Sequence, residues 1–346
     1  MVLLFSGGEA DMADSGTTEP TIYDVARAAG VAASTVSRAL AKPGRVSFRT
    51  AEHVRRVAEE LGYRSGRRDL PMSTRGTGVL ALIVADIANP VFIGIIRGAE
   101  REAVQHGLTL AMIETQESKD EGEQRAIARM EAIVDGFILA SSRMPDQMIR
   151  SLAKRKPVVV LNRTVGEVHS VTSDNVHAIK KATEHLVELR HDSICYLAGP
   201  DASYANGMRW RGLKETALEL DLNVRRLGPF LPTMRGGTDA AERWLRHPSA
   251  AVIAYNDLMA IGFMHAVTAA GRRVPDDVSV IGFDNIVDAE LVEPGLTTIA
   301  APLVSIGSTG VAILATRGKD REAPEPVMLP ARLVLRGSTG PHDPAR

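Results

Sequence analysis

The sequence feature that most constrains the fold is the stretch of residues 21–63, which has the pattern of a helix-turn-helix followed by a third helix. Thr21 can cap the first helix, and Asp24 lies in its first turn, where the helix dipole favours a negative charge. Gly30 falls where the tight turn between two helices requires a residue that tolerates positive φ. Ser47 is expected to cap the third helix.

The second helix of this stretch, predicted at about residues 33–41, has two different faces. Val36 and Leu40 are one turn apart and are predicted to be buried against Val25 and Ala26 of the first helix. The opposite face carries short hydroxyl side chains and an arginine, at Ser34, Thr35, Ser37 and Arg38. These side chains suit the DNA major groove, where hydroxyl groups meet bases or phosphates and arginine can bind guanine.

The distribution of charge favours DNA binding over an ordinary three-helix bundle. Residues 21–75 contain eleven basic and five acidic residues, a net charge of +6, whereas the rest of the chain carries −7. A basic end on an acidic body is the electrostatic pattern of a DNA-binding domain attached to a second unit. We therefore interpret residues 21–66 as a DNA-binding domain and residues 67–76 as a basic hinge or linker.

Composition excludes several other classes of protein. No run of about 18 apolar residues is present to cross a membrane. The one cysteine, Cys195, lies in an apolar run and is predicted to be a buried strand residue, so no disulfide framework or cysteine metal cluster is expected. Residues 1–20 lack the pattern of a signal peptide and are expected to form a disordered extension, with translation from Met12 as an alternative. These features suit a cytoplasmic protein.

From residue 79 onward, short apolar runs alternate with segments that have the pattern of amphipathic helices. The runs are rich in β-branched and aliphatic residues, like the buried strands of parallel sheets. They are VLALIV, TLAMI, GFILA and PVVVLN, and then, in a second series that starts near residue 175, SICYLA, AVIAY and VSVIGF. Repeated βα units predict doubly wound parallel sheets, and two series predict two lobes with a cleft between them.

Two blocks at the amino end, YDVARAAGVAASTVSRAL and VSFRTAEHVRRVAEELGY, resemble the headpiece of the LacI-type (lactose repressor and galactose repressor) family of bacterial transcriptional regulators. Later blocks, among them DIANPVF, PVVVLNR, AYNDLMAIGF and VSVIGFDN, resemble the effector-binding core of that family. The resemblance implies an N-terminal all-α helix-turn-helix headpiece. It also implies an α/β bilobal, periplasmic-binding-protein-like core with two doubly wound parallel sheets.

The resemblance places the core at residues 77–337. Its N-lobe is expected at about 77–174 and 301–325, and its C-lobe at about 175–300 and 326–337, with residues 338–346 as a tail. One departure from the family pattern is Arg190, which stands where a helix-ending glycine is usual and so requires positive φ at a non-glycine residue.

The resemblance also implies a set of residues that contact DNA. They are Thr21, Tyr23, Ala32, Ala33, Ser34, Thr35, Ser37, Arg38, Arg45, Arg49, His53, Arg67 and Met72. Met72 aligns with a leucine that wedges into the minor groove in the family, with Leu70 as an alternative. Ser65 and Gly66 replace the usual Pro-Asn pair and Pro71 would lie inside the hinge helix, so a standard hinge helix is not expected.

Polar residues after the predicted strands are candidates for ligand binding, because ligands of open α/β sheets bind at the carboxyl ends of the strands. With the resemblance, they give the expected ligand contacts Asp86, Phe92, Asn162, Arg163, Arg209, Asn256 and Asp284. Other roles remain open for some of them. Asn256 or Asp257 could cap the following helix, Asp284 could close a turn, and Arg163 could pair with an acid across the cleft.

The combined interpretation is a bacterial transcriptional regulator, most simply a repressor. A homodimer would bind near-palindromic double-stranded operator DNA, and a sugar-like effector would bind between the lobes. No metal site, cofactor or catalytic pair is expected, so the chain is not interpreted as an enzyme. The alternative from another class is a solute-binding protein with the same bilobal body, which would have no use for a basic headpiece.

Overall fold

The computed structural model describes residues 2–4, 21–41, 46–61, 76–115, 121–316 and 325–342. The chain divides into two compact units, one within Ser6–Thr74 and the other formed by Arg75–Arg346 together with Met1–Phe5. We refer to the first unit as the headpiece and to the second as the core. No helix in the ranges given above is both long enough and apolar enough to cross a membrane.

The predicted helices and strands are present in the predicted order, and the described residues contain further helices and strands that were not predicted. The helices are α1 (Ile22–Ala29), α2 (Ala33–Ala41), α3 (Phe48–Glu60), α4 (Pro90–Gln105), α5 (Glu121–Met130), α6 (Asp146–Ala153), α7 (Asn175–Glu188), α8 (Tyr204–Glu219), α9 (Met234–Trp244), α10 (Asp257–Ala269), α11 (Asp288–Leu291) and α12 (Leu303–Thr316). The strands are β1 (Val2–Leu4), β2 (Val79–Val84), β3 (Thr109–Glu114), β4 (Gly136–Ala140), β5 (Val158–Leu161), β6 (His169–Ser173), β7 (Ser193–Leu197), β8 (Asn223–Leu227), β9 (Ala251–Ala254), β10 (Ser279–Phe283), β11 (Thr297–Ala300), β12 (Val327–Leu329) and β13 (Arg332–Val334).

The headpiece helices pack around small apolar side chains. Val25, Val36 and Val54, one from each helix, are fully buried, and alanines fill the spaces between them. Small side chains at these positions let three short helices approach closely. Burial confirms the inward orientation predicted for Val25, Ala26 and Val36, whereas the side chain of Leu40 lies outside the described residues.

Local contacts fix the ends of the headpiece helices. The backbone N–H and the hydroxyl of Thr21 both donate to the carboxylate of Asp24, at 2.8 and 2.6 Å. Gly30 has φ of 65° and ends α1, as predicted for the tight turn. Ser47 accepts a hydrogen bond from the N–H of Thr50 at 3.2 Å, which confirms its predicted position before α3.

The first lobe of the core is built on a sheet with the order β1-β3-β2-β4-β5-β6-β12. Its strands are parallel except for β1, which pairs antiparallel with β3 at one edge. β2 and β5 are almost entirely buried because helices cover both faces of the sheet. The order reverses between β2 and β4, which opens a crevice at their carboxyl ends.

The second lobe repeats this plan with the order β13-β11-β10-β9-β7-β8. Its strands are parallel except for the short edge strand β13, which is antiparallel to β11. Here the order reverses between β7 and β9, so a second crevice opens at their carboxyl ends. Together, two mostly parallel sheets confirm the predicted bilobal α/β core.

Helices α4 and α12 cross closely on the first lobe. A Cβ added at Gly98 would lie 1.9 Å from the carbonyl oxygen of Val304, and one added at Gly307 would lie 2.0 Å from that of Ile95. Glycine at both positions therefore lets the two backbones touch. The crossing packs α12, which follows the return of the chain from the second lobe, against α4, the first helix of the first lobe.

The chain passes between the lobes at three places, and the third differs from the prediction. The passages lie between β6 and α7, between β11 and α12, and between β12 and β13. Residues 326–337 were expected in the second lobe, but Val327–Leu329 pair with β6 of the first lobe. The crossing therefore falls near residue 330, because the short β12 completes the edge beside the polar strand β6.

Both ends of the chain also differ from expectation. Val2–Leu4 form the edge strand beside β3, so the expected disordered extension does not apply to these three residues. The expected tail is part of the second lobe as far as His342, whose N–H donates to the carbonyl of Leu189 at 2.8 Å. Ser338 is fully buried and donates to the carbonyl of Val280 at 2.6 Å. Small hydroxyl residues let this segment bond to the sheet.

Candidate functional site

The outer face of α2 is the candidate DNA-reading surface of the headpiece. Val36 and Ala39 are buried on its inner side, while Ser34 is exposed and Thr35 is half-buried on the other. Ala32 is exposed and Ala33 half-buried at the start of the helix. The backbones of Ser37 and Arg38 lie in α2, and their side chains are outside the described residues.

Of the other residues predicted to contact DNA, four are described by the structure and three are not. Thr21, Tyr23, Arg49 and His53 are exposed, with 69% of Tyr23 accessible. The Nδ1 atom of His53 lies 3.3 Å from a guanidinium nitrogen of Arg56. Three predicted contacts lie outside the described residues, namely Arg45, Arg67 and Met72.

A cleft between the two lobes is the candidate ligand site. Ligands are expected there because the carboxyl ends of the strands in both sheets border it. It is lined from the first lobe by residues after β2, β4 and β5, and from the second by α8 and by residues after β9 and β10. Predicted contacts in its lining are Phe92, Asn162, Arg163, Arg209, Asn256 and Asp284. Asp86 is not in the lining, and its carboxylate instead accepts the N–H of Ala88 at 2.8 Å. Asp86 is therefore a turn residue.

Arg209 is the centre of the second-lobe wall. Its Nε donates to Oδ1 of Asn175 at 3.1 Å, and its two terminal nitrogens donate to the carbonyl of Tyr255 and to Asp284. The guanidinium carbon lies 3.4 Å from the centroid of the Phe283 ring. These contacts compensate a cation that is almost fully buried, and they fix the direction of its remaining N–H groups.

Asp284 lies at the end of β10 on a backbone with φ of 113°, followed by Asn285 at 57°. Left-handed backbone at two successive non-glycine residues is uncommon and costs free energy, so contacts with the surrounding structure must compensate for it. Burial raises the pKa of Asp284 to about 6, although Arg209 acts in the opposite direction. The carboxyl group therefore keeps its proton to a higher pH than an exposed aspartate does.

Asp257 stabilises the turn that carries Asp284. Its side chain is fully buried and accepts hydrogen bonds from the hydroxyl of Thr298 at 2.5 Å and the N–H of Ile286 at 2.9 Å. Burial, with the nearby Asp284 second, raises its pKa to about 8. The helix-capping role considered for this Asn-Asp pair belongs to Asn256, which accepts the N–H of Met259 at 3.0 Å.

On the first-lobe wall, Asn162 and Arg163 follow β5. Asn162 has φ of 60° and donates through Nδ2 to the Ser141 hydroxyl at 3.3 Å. Arg163 donates to the carbonyl of Met144 at 2.7 Å and pairs with Asp146. Asp146 belongs to the same lobe, so the acid paired with Arg163 does not lie across the cleft. Arg163 instead holds the loop between β4 and α6.

Several residues of the cleft were not predicted. They include Ser141, Ser142, Arg143, Asn175, Tyr204 and Tyr255. Ser141 and Tyr255 directly follow β4 and β9, so the rule for strand ends would have found them if it had been applied to every strand. Asn175 follows β6, whose polar sequence gave no strand signal.

The arrangement provides hydrogen-bonding groups of both kinds around a small enclosed volume. Amide and hydroxyl side chains donate and accept, the Arg209–Asp284 pair adds charged groups, and Phe92 supplies an apolar wall. This combination can bind a small polyhydroxylated molecule. Among the residues whose placement is given, no three His, Cys, Asp or Glu side chains come together as a metal site.

Two known sequence families match the chain. Residues 21–65 match the family described as "Bacterial regulatory proteins, lacI family", and residues 183–339 match the "Periplasmic binding protein-like domain". The HTH-type transcriptional repressor CytR of Escherichia coli (strain K12) is 31% identical over 332 residues, which cover 93% of this chain and 97% of CytR.

Solved structures agree with these matches. The lac repressor dimer bound to operator and the anti-inducer ONPF has 26% identity and a TM-score of 0.75, with 93% of this chain and 100% of that chain covered. A LacI family transcriptional regulator from Enterococcus faecalis V583 with bound ribose has 31% identity and a TM-score of 0.70, with 77% and 100% covered. With relatives that span both headpiece and core, the chain belongs to the lacI family of bacterial regulatory proteins.

Proposed function

We propose that this protein is a transcriptional repressor whose affinity for operator DNA is controlled by a sugar or sugar derivative bound between the lobes. The observation that carries the ligand half of this proposal is the buried Arg209–Asp284 pair in the cleft wall. Adjacent hydroxyl groups of a sugar donate and accept at once, which matches a carboxylate beside a guanidinium and amides. The ribose bound to the Enterococcus faecalis relative supports this class of ligand.

On the DNA side, two copies related by a two-fold axis would bind a near-palindromic operator. Each headpiece would place residues 34–41 in a major groove, with Thr35, Ser37 and Arg38 in contact with DNA. Arg49 and His53 would bind phosphate groups. The solved structure of the lac repressor dimer bound to operator supports this arrangement, because the match to that relative covers 93% of this chain.

The two sites would be coupled by closure of the lobes. An effector that binds one lobe arrangement more tightly shifts the population toward it, and the headpieces then bind DNA better or worse. Coupling is reciprocal, so an effector that weakens operator binding must itself bind more weakly to the DNA-bound protein. The factor by which the effector changes operator affinity must therefore equal the factor by which operator DNA changes effector affinity.

The protein is further proposed to bind its ligand without changing it chemically and to act in the cytoplasm, at the bacterial nucleoid. Relatives such as the repressor CytR and the catabolite control protein A of Priestia megaterium are named as regulators. Incubation of the purified protein with candidate sugars tests the first point. A time-dependent loss of sugar, with product formed, would contradict it.

The experiment that tests the function begins with capture of fragments of the source genome by the purified full-length protein, followed by sequencing. Enrichment of a near-palindromic site is the expected result. The affinity for that site is then measured with and without a panel of pentoses, hexoses and disaccharides. A site without any sugar response would contradict the ligand half alone, and failure to enrich a site at low salt would contradict the DNA half.

A further inference from the structure

Thr164 and Tyr204 connect the two lobes across the ligand cleft. Thr164 lies in the first lobe, in the loop between β5 and β6, and Tyr204 is the first residue of α8 in the second lobe. The hydroxyl of Thr164 donates to the phenolic oxygen of Tyr204 at 2.7 Å. This is the length of a well-formed O–H···O hydrogen bond.

Both ends of this bond are joined directly to residues of the cleft wall. Asn162 and Arg163 immediately precede Thr164, and Tyr204 is itself part of the lining. Arg209 follows Tyr204 on the same helix, about one and a half turns later. A movement of α8 that breaks the bond would therefore also move Arg209 away from the first-lobe wall.

The two elements that carry the bond are each held firmly within their own lobe. Arg163 is fixed by the carbonyl groups of the loop before α6. Ser203, next to Tyr204, caps α8 by accepting the N–H of Asn206 at 3.2 Å, and its hydroxyl lies 3.1 Å from that of Tyr255. Because neither end can follow the other freely, the bond is sensitive to the separation of the lobes.

We propose that the hydrogen bond between Thr164 and Tyr204 positions the two halves of the ligand site against each other before a ligand is bound. It favours the arrangement of the lobes in which the residues after β5 and Arg209 line one cleft. The consequence for ligand affinity rests on the proposed function, since it assumes that the effector contacts both walls. Loss of the bond would then weaken binding mainly through faster dissociation, because the closed state opens more often.

Hydrogen–deuterium exchange of the full-length protein without ligand tests the positioning role. The variants are Thr164→Val, Tyr204→Phe and the double variant, with Thr164→Ser as the matched control that keeps the hydroxyl. In both single variants, we expect exchange in peptides covering residues 160–166 and 203–209 to become about fivefold faster, the change for one lost hydrogen bond. The double variant should resemble the single variants, and Thr164→Ser should resemble the wild type.

Unchanged exchange in the single variants, or effects that simply add in the double variant, would overturn the proposal, because two partners of one bond cannot act independently. A second arm uses D-ribose as the probe and measures its dissociation rate. If ribose binds, faster release from Tyr204→Phe and Thr164→Val supports the positioning role, and equal release rates overturn it. If ribose does not bind the wild type, the exchange result still decides the role of the bond, and only the choice of ribose as ligand fails.

Discussion

The Nη2 atom of Arg209 lies 3.4 Å from Oδ1 of Asp284, and the two side chains are only 7% and 8% exposed. The same guanidinium lies over the ring of Phe283 and donates to Asn175. The pair is therefore covered by protein on one side and faces the cleft on the other. A charge in this position is tolerated because its partner is present, so removal of either side chain has a large effect.

Arg209→Ala should abolish the response to effector while leaving operator affinity within about twofold of the wild type. The guanidinium lies in the core, whereas the proposed DNA contacts lie in the headpiece. Its loss leaves Asp284 buried without a partner, so the free energy of unfolding should also fall by about 3–5 kcal/mol. Operator titrations with and without effector, and urea denaturation, measure the two effects.

Arg209→Lys provides the control for charge alone. Lysine keeps one positive charge but cannot bond to Asn175, Tyr255 and Asp284 at the same time. We expect the effector response to remain weak although the loss of stability is smaller than in Arg209→Ala. A normal effector response in either variant would show that the ligand does not depend on this arginine.

Arg38→Ala should weaken operator binding by about 10- to 100-fold and leave effector binding unchanged, because an arginine that contacts a base contributes about 1–3 kcal/mol of discrimination. The matched control is Arg155→Ala, which removes the same charge from an exposed pair with Glu131 in the core. Fluorescence anisotropy with the captured operator measures both variants. Equal operator affinity in Arg38→Ala and the wild type would exclude α2 from DNA recognition.

The buried strands could be predicted from sequence because a strand covered on both faces must be apolar throughout. VLALIV of β2 and VVVL of β5 are nearly or fully buried along their whole length, and they gave clear signals. Arg190 was predicted to need positive φ and has φ of 68°. The position of the cleft could also be predicted from the buried strands, since the carboxyl ends of parallel strands meet at one edge of a sheet.

Edge strands and crossings between the lobes could not be predicted in the same way. β8 has the sequence NVRRL, because an edge strand needs no apolar outer face and its arginines protect the open edge. β6 and β12 are likewise polar or short, so the third crossing was misplaced. Contacts such as Thr164 with Tyr204 join residues forty positions apart, and no local pattern in the sequence reports them.

The free energy of unfolding should depend on pH, and Asp257 should account for much of this dependence. Burial raises the pKa of this carboxyl group to about 8 and that of Asp284 to about 6, from the ordinary value near 4. Between pH 4 and 8 the native protein therefore binds protons that the unfolded chain has released, so the free energy of unfolding falls as the pH rises through this window. Asp257→Asn carries no such proton and should show a shallower fall.

Urea denaturation at intervals from pH 4.5 to 8.5 measures this difference. The wild type should lose stability relative to Asp257→Asn by an amount on the order of a few kcal/mol across the window, whatever the offset between the two proteins at low pH. Parallel curves for the two proteins would mean that Asp257 is ionised in the native state at all of these values.

Two glycine-to-alanine substitutions should have opposite effects on stability. Gly98→Ala would place a methyl group 1.9 Å from the backbone oxygen of Val304, so α4 and α12 must separate, at a cost of about 1–3 kcal/mol. Gly207 lies within α8 with open space around its position, so Gly207→Ala should stabilise the protein by up to about 1 kcal/mol. Thermal unfolding of both variants measures these changes. Destabilisation by Gly207→Ala to the extent of Gly98→Ala would contradict the open space around Gly207.

Cys195 offers a single chemical probe of unfolding, because it is the one cysteine of the chain. It lies fully buried in β7, and burial raises the pKa of its thiol to about 11. Since the thiolate is the reactive form, alkylation by iodoacetamide at pH 8 should be at least about a hundredfold slower in the native protein than in urea. Cys195→Ser controls for reaction at other side chains. Rapid alkylation of the native protein would show that β7, next to the edge strand β8, opens far more readily than its burial implies. If alkylation proceeds through unfolding, Arg209→Ala should react faster than the wild type by a factor of about ten for each 1.4 kcal/mol of lost stability.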